Sequence, residues 1–204
     1  MKIIFAITVS TEEEEIKRLV DFLIQHKHKE DDIVIQYDST KASKEMVSML
    51  EEYKIPLYGV IFRDNFADFK NELNKVCRDL GADYIYQLDA DEMISEYMIK
   101  SLRGILELNS SLDLVWVPRI NTVNGLTQEH INKWHWHVND KGWVNFPDFQ
   151  GRIFKSNMTW HGRVHERIIG GEKFATLPTD EIYCIQHHKS IERQETQNNF
   201  YNKI

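Results

Sequence analysis

Apolar and polar positions follow two different periods along the first half of the chain. Short runs of apolar residues predict strands at 3–9, 33–37, 57–62, 84–88 and 112–117. Between them, apolar residues recur at helical spacing and predict helices after Ser10-Thr11 and at 41–53, 66–80 and 95–108. A Ser or Thr directly before Glu12–Glu15 is expected to cap the first helix. Continuous apolar strands alternating with helices are typical of a parallel sheet covered on both faces.

The pattern changes after Pro118. Residues 121–151 are rich in aromatic residues and histidine and have no clear period, whereas 151–154 and 181–185 have the pattern of strands. The polar tail from Ser190 is predicted to be helical. We therefore predict an α/β fold with a Rossmann-like, mostly parallel central sheet flanked by helices, and a smaller mixed C-terminal half. We expect a single domain over residues 1–204, with its two halves meeting at residue 118.

The net charge of −7 argues against general attraction to nucleic acid or to an anionic membrane. Locally the balance differs, because four Lys and Arg residues and two histidines accompany a single acid, Glu166, between Arg152 and Arg167. This segment is suited to a phosphate or an acidic acceptor, and a solvated basic loop is the alternative.

Cellular location is suggested by cysteine use and by the apolar runs. Cys77 and Cys184 fall in apolar patterns typical of core residues, so a disulfide framework is not expected and a reducing compartment fits. The N-terminal apolar run turns acidic after residue 9, unlike a signal peptide, and no run approaches the roughly 18 residues of a membrane span. We expect a cytoplasmic protein without an integral membrane segment, in the host cytoplasm if a virus encodes it.

Three polar residues, Thr8, Asp38 and Asp89, fall at predicted strand ends. Ligands of open α/β sheets bind beyond the carboxyl ends of the strands. Asp89-Ala90-Asp91 follows an apolar strand, and two carboxylates so spaced suit Mn²⁺ or Mg²⁺ that also takes phosphate oxygens, although acidic loops are often merely solvated. Asp38 is suited to accept hydrogen bonds from a base or ribose, to cap the next helix, or both.

Other patterns point less sharply to chemistry. Four tryptophans, Trp134, Trp136, Trp143 and Trp160, are suited either to stack on sugar rings or to pack in the core. His135 and His137 would face one side of a strand, but a zinc site is disfavoured because no third ligand stands at a recognised offset. The chain lacks a Gly-rich phosphate loop and a nucleophile elbow, which disfavours ATP-driven and serine-hydrolase chemistry.

Several segments together resemble family 2 glycosyltransferases. Asn65–Asn71, a helix and Ala82–Glu92 are similar to that family's "F-A-x-x-R-N" and "W-x-L-x-L-D-A-D-E", with Lys70 standing where Arg is more usual. Pro147–Phe154 and Trp160–Glu166 are similar to its "R-L-F" and "G-x-V-H-E", and His187–Ser190 to its "H-Y-K-T". Each segment alone is a weak match to the family, but the segments together are specific and cover most of the chain.

The resemblance implies a GT-A fold, with 1–118 as the nucleotide-sugar-binding half and 119–204 as the acceptor-binding half and tail. It implies a metal-dependent inverting transfer from a nucleoside-diphosphate sugar, most commonly a UDP-sugar, to an acceptor hydroxyl. The residues it assigns to the donor are Thr8, Asp38, Lys70, Asn71, Asp89 and Arg152. Those it assigns to Mn²⁺ or Mg²⁺ are Asp91, Asp89 and either His187 or His188, whose register is open by one.

Inversion by direct displacement needs a general base near the acceptor hydroxyl. Glu166 is the first candidate because it follows a Gly turn within the basic and aromatic segment, and Asp148 is the second. A surface acid or a structural partner of Arg163 is the alternative role for Glu166. The acceptor stays open: a glycan or lipid-linked sugar comes first, with protein or nucleic acid as further options. Alternative functions are a non-catalytic nucleotide-sugar-binding protein and a metal-dependent hydrolase or nucleotidyltransferase.

Overall fold

The computed structural model describes residues 1–201. Its helices are α1 (Glu13–His26), α2 (Lys44–Glu52), α3 (Phe66–Asp79), α4 (Glu96–Leu108), α5 (Gln128–Trp134) and α6 (Ile191–Tyr201), with a 3₁₀ turn at Glu181–Tyr183. Its strands are β1 (Ile3–Val9), β2 (Asp32–Asp38), β3 (Leu57–Val60), β4 (Tyr84–Asp89), β5 (Glu92–Met93), β6 (Leu114–Asn124), β7 (Val144–Lys155), β8 (Thr159–His161), β9 (Arg167–Ile169), β10 (Phe174–Thr176) and β11 (Ile185–Ser190).

One sheet forms the centre of the molecule, in the order β3-β2-β1-β4-β7-β6-β11-β5, with β10 also paired to β6. The four neighbouring strands β3, β2, β1 and β4 are parallel. Strand β7 is antiparallel to its neighbours β4 and β6, and β11 is parallel to β6. The small β8–β9 ribbon stands apart from this sheet. Because β6 crosses residue 118, the two halves of the chain share one sheet.

Each face of the sheet carries its own core. Helices α1, α2 and α4 cover one face with apolar residues at three- and four-residue spacing, such as Ile16, Leu19, Val20 and Leu23 of α1. Helix α3 covers the other face, where Leu73 and Cys77 pack with residues of β1, β4, β7 and β8. The predicted strands β1 and β4 are buried on both faces, which explains why they are apolar throughout.

Two local predictions are wrong. Neither Ser10 nor Thr11 caps α1; instead the Glu12 carboxylate accepts the backbone N–H groups of both, at 2.8 and 2.9 Å. The strand predicted at 181–185 is a 3₁₀ turn, and the strand begins at Ile185 because only from there does the chain pair with β6. Within residues 1–201, none of the helices has the length and apolar character required to cross a bilayer.

The hydroxyl of Ser95 links the start of α4 to the 3₁₀ turn. It accepts the backbone N–H of Met98 at 2.9 Å and donates to the carbonyl of Ile182 at 2.5 Å. Ser43 caps α2 in the same way, but its hydroxyl donates to the exposed side chain of Glu13. We expect Ser95→Ala to lower the free energy of unfolding by about 2 kcal/mol and Ser43→Ala by about 1 kcal/mol. Urea unfolding measures both, and equal losses would contradict a stabilising link to Ile182.

Candidate active site

The carboxyl ends of β1 and β4 bring the first polar pair together. Thr8 and Asp89 are partners in the parallel register, and the Thr8 hydroxyl donates to Oδ1 of Asp89 at 2.9 Å. Two cations also reach this carboxylate: Nη2 of Arg152 lies 2.8 Å from Oδ2, and Nζ of Lys70 lies 3.5 Å from Oδ1. Burial raises the pKa of Asp89, but the charges of Arg152 and Lys70 outweigh it and hold that pKa well below its ordinary value.

These contacts give Asp89 protein partners on both sides of its carboxylate. Oδ1 faces Thr8 and Lys70, and Oδ2 faces Arg152. Arg152, which the sequence placed near the donor, is buried behind this carboxylate. The two acids of Asp89-Ala90-Asp91 thus face different partners, and their shared binding of one metal ion stays a prediction.

Glu92 is the residue that the sequence analysis missed most clearly. It is 0% exposed, and its Oε1 accepts from Arg152 at 2.6 Å and from Arg119 at 3.1 Å. Its Oε2 accepts the backbone N–H of Asp89 at 3.0 Å, which fixes the shape of the turn between β4 and β5. The available signal was the fourth residue of Asp89-Ala90-Asp91-Glu92, an acid that closely follows a buried strand and directly precedes the apolar pair Met93-Ile94.

Asp91 turns away from Asp89 towards β11. Its Oδ2 lies 3.3 Å from Nε2 of His187, 3.4 Å from Nη2 of Arg193 and 4.0 Å from Nζ of Lys189. Burial raises the pKa of Asp91, but the hydrogen bond and charge of His187, together with the charge of Lys189, lower it to about 2. The carboxylate is thus ionised and surrounded by donors, two of which, Lys189 and Arg193, the sequence analysis did not assign.

The structure resolves the register of the histidine doublet. His187 of β11 is the register partner of Glu92 in β5, and its ring faces Asp91. His188 is exposed on the other side of β11, next to the Thr122 hydroxyl. Because neighbouring residues of a strand face opposite sides, only one of the two can reach Asp91. This geometry places His187, and not His188, beside Asp91, whereas metal binding by either histidine stays a prediction.

The two candidate bases differ in how fully they are paired. Asp148 accepts four hydrogen bonds, two from Arg119 and one each from Asn121 and Gln150. Glu166 accepts from the side chain of Lys70 at 2.7 Å. Burial raises the pKa of each carboxyl group, but the charge of Arg119 for Asp148 and of Lys70 for Glu166 outweighs it, so both pKa values lie below the ordinary range.

Two residues assigned to the nucleotide pocket also have structural contacts. Asp38 is 3% exposed, and its Oδ1 accepts from the backbone N and the hydroxyl of Thr40, closing the turn after β2; the cap of α2 is Ser43, not Asp38. The side-chain amide of Asn71 exchanges two hydrogen bonds with the backbone of Trp160, at 2.8 and 2.9 Å, and so joins α3 to β8.

The tryptophans separate into buried and half-buried groups. Trp160 is buried against Phe154, with Nζ of Lys70 4.9 Å from its ring centroid. Trp134 and Trp136 are half-buried and pack against each other, with their ring centroids 4.6 Å apart. His135 ends α5 in the left-handed region, so His135 and His137 do not share a strand. Across residues 1–201 no three His, Cys, Asp or Glu side chains converge into a metal cluster.

Helix α6 covers this edge of the sheet. Arg193, near the start of α6, joins Asp91 to two glutamates at the start of α1, with 2.7 Å to Glu12 and 2.9 Å to Glu15. At its far end Tyr201 packs against Phe66, and burial raises the pKa of its hydroxyl to about 12. The site therefore lies between the strand ends and a helix held mainly by charged and aromatic contacts.

The family model for glycosyl transferase family 2 matches residues 5–191. The chain belongs to glycosyl transferase family 2. This confirms the family and the enzyme class, glycosyltransferase, that the Asp89-Ala90-Asp91-Glu92 segment and its companions predicted. No curated protein sequence matches the chain.

Solved structures with the same fold include S. aureus TarS, with a TM-score of 0.62 and 11% identity over 97% of this chain and 38% of TarS. TarS 1–349 in complex with UDP-GlcNAc gives a TM-score of 0.60 and 13% identity over 93% of this chain and 59% of that one. These likenesses confirm the predicted GT-A fold. This family 2 chain spans less than two thirds of the length of either TarS chain.

Arg152 is the cation on which the buried acids of the site depend. We expect Arg152→Met to lower the free energy of unfolding by about 3–5 kcal/mol, because it removes the cation that pairs with both Glu92 and Asp89. Urea unfolding measures the loss. Lys17→Met, which removes an exposed pair with Asp21, is the matched control and should leave stability almost unchanged. A loss in Arg152→Met no larger than in the control would contradict the bridging role.

Proposed function

We propose that this family 2 protein transfers a sugar, with inversion, from a nucleoside-diphosphate sugar to an acceptor hydroxyl, and that it depends on Mn²⁺ or Mg²⁺. The observation that carries the proposal is the approach of Asp91 to His187 at the carboxyl edge of the sheet, 3.3 Å apart. Ligands bind at this edge in open α/β sheets, and Asp91 follows the strand whose sequence resembles the family's metal motif.

Asp91 and His187 are the two residues that would hold the metal. Both are largely buried, their ligating atoms face each other, and Mg²⁺ or Mn²⁺ commonly takes one or two protein ligands plus phosphate oxygens and water. When bound, the ion would neutralise charge on the departing diphosphate. Lys189 and Arg193 lie beside the same carboxylate and would add fixed positive charge for the phosphates.

The donor is proposed to lie across the ends of β1, β2 and β4. Thr8 is the next-to-last residue of β1 and Asp38 is the last residue of β2. Lys70 lies between Asp89 and Glu166. A uridine nucleotide is proposed because TarS, which shares the fold, has been crystallised with UDP-GlcNAc and with UDP. Asp38 would keep its turn with Thr40 and contribute its second oxygen, which faces Lys41 at 3.9 Å.

Glu166 is proposed as the general base. Lys70 favours the ionised carboxylate, which is the form that accepts a proton from an acceptor hydroxyl at neutral pH. Asp148 is the weaker candidate, because its four hydrogen bonds already engage both of its oxygens. Turnover with an acceptor also separates this function from nucleotide-sugar binding alone, and the identity of the product separates it from hydrolysis.

Metal-linked nucleotide binding can be tested by thermal shift with UDP, GDP, CDP and dTDP, each with and without Mn²⁺. We expect UDP to stabilise the wild type only with Mn²⁺, by roughly 2.7 kcal/mol at a hundred times the dissociation constant. Asp91→Ala and His187→Ala should lose this response and the transfer activity while keeping the fold. His188→Ala is the matched control, because that side chain faces away from Asp91 and should keep the response. Full activity in Asp91→Ala would refute the metal site.

The base assignment predicts a selective effect on turnover. We expect Glu166→Gln to lower kcat by about 10²–10⁴-fold, since the amide cannot accept the proton, while the affinity for the donor changes little. Asp148→Asn should lower kcat much less. The measurement is steady-state kinetics with UDP-sugar hydrolysis as the background reaction, and an unchanged kcat in Glu166→Gln would transfer the role to Asp148 or another group.

A further inference from the structure

The far end of α6 packs on side chains that surround Asp38 at the carboxyl edge of the sheet. The ring centroid of Phe200 lies 6.3 Å from that of Phe62 and 6.4 Å from that of Phe66, and Nζ of Lys41 lies 5.3 Å from the Phe200 centroid. Lys41 and Phe62 also contact Asp38, through Nζ at 3.9 Å and through the backbone N–H at 3.4 Å. Phe200 therefore covers two neighbours of a residue that is proposed to contact the donor.

Tyr201 lies further along the same edge. Its ring centroid is 5.6 Å from that of His165, and its hydroxyl accepts from Nε2 of Gln197 at 2.6 Å. Burial raises the pKa of this hydroxyl to about 12, and the negative charges of Asp89 and Glu166 act in the same direction. The hydroxyl is thus close to both of these acids, and the proposed function places the reacting sugar between them.

The packing of Phe200 leaves no room for a nucleobase beside Phe62. A base between two aromatic rings needs two stacking contacts of about 3.5 Å each, or about 7 Å between parallel rings. The centroids of Phe62 and Phe200 are 6.3 Å apart, and their planes are inclined by 45°. A base that reaches Asp38 past Lys41 and Phe62 therefore requires Phe200 to leave.

Helix α6 is built in a way that allows such a movement. None of its residues 191–201 is buried, and a helix of this length is marginally stable without tertiary contacts. Segments with few buried apolar contacts open at low free-energy cost. The start of the helix is held separately, because Arg193 pairs with Glu12 at 2.7 Å and with Glu15 at 2.9 Å. The far end can thus leave the edge while the start stays in place.

We propose that the far end of α6 is an autoinhibitory segment: Phe200 and Tyr201 occupy the space of the nucleotide-sugar, and binding of the donor displaces them. The inference rests on the proposed function for the position of the donor. A closed form lowers the apparent affinity for the donor in proportion to the fraction of molecules that are open.

Calorimetric titration with UDP, at saturating Mn²⁺, tests the competition. We expect Phe200→Ser to lower the Kd for UDP about 5-fold or more, as follows if at most about one fifth of the wild type is open. Asn199→Ser is the matched control, because Asn199 is exposed on the same turn and serine differs little from asparagine or phenylalanine in helix propensity. It should change the Kd less than about twofold. An unchanged or higher Kd in Phe200→Ser would overturn the proposal.

Hydrogen exchange measured by mass spectrometry reports the movement in the unmodified protein. We expect the amides of residues 197–201 to exchange faster when UDP and Mn²⁺ are added, because the helix end loses its contacts, whereas peptides that contain Asp38 or Asp89 should exchange more slowly. Slower exchange at 197–201 would mean that α6 closes over the bound nucleotide, and no change would mean that it stays in place. Either result contradicts autoinhibition.

The two failures can be told apart. A wild type that binds UDP with the same Kd as Phe200→Ser refutes autoinhibition and leaves the proposed function intact. If neither the wild type nor Phe200→Ser binds UDP, the proposed donor site is wrong, and the autoinhibitory role fails with it. Binding by Phe200→Ser alone would support both.

Discussion

The guanidinium of Arg152 is the interaction on which the rest of the site depends. It is 3% exposed, and its Nη2 bridges Asp89 and Glu92, two acids of a single turn. Among residues 1–201 its Nε and Nη1 have no hydrogen-bond partner, so charge rather than a complete set of hydrogen bonds accounts for its position. A buried cation of this kind stabilises only while both acids are present, and removing one partner leaves an uncompensated charge.

From this bridge the geometry of the turn follows. Glu92, held by Arg152 and Arg119, accepts the backbone N–H of Asp89, and the turn then directs Asp91 to the opposite side, towards β11. The two acids of the motif are thus given different partners by a third acid. Fixed charges and dipoles arranged before a ligand arrives are the main resource of sites that stabilise a developing negative charge.

The first half of the fold was predictable because its strands are buried on both faces and its helices on one. β1 and β4 are therefore visible as apolar runs, and Asp89 and Asp91 follow the second run directly. By contrast, the lengths of β6 and β11 depend on pairing between segments more than 60 residues apart, as for Asn121 and His187, which no local pattern reports. The same limit explains the histidine doublet, since the register of β11, and not the sequence of the doublet, decides which ring faces Asp91.

Most acids of the site belong to the first half of the chain and most of its cations to the second. Asp91 leaves the ribosome 96 residues ahead of His187, which corresponds to roughly 5–20 s of synthesis. During that interval Arg119 and Arg152 are added to the chain, so Glu92 and Asp89 can gain their partners before Asp91 does. The growing chain can thus form its apolar strands early, but the polar edge of the sheet takes its final shape only when β11 and the start of α6 have been made.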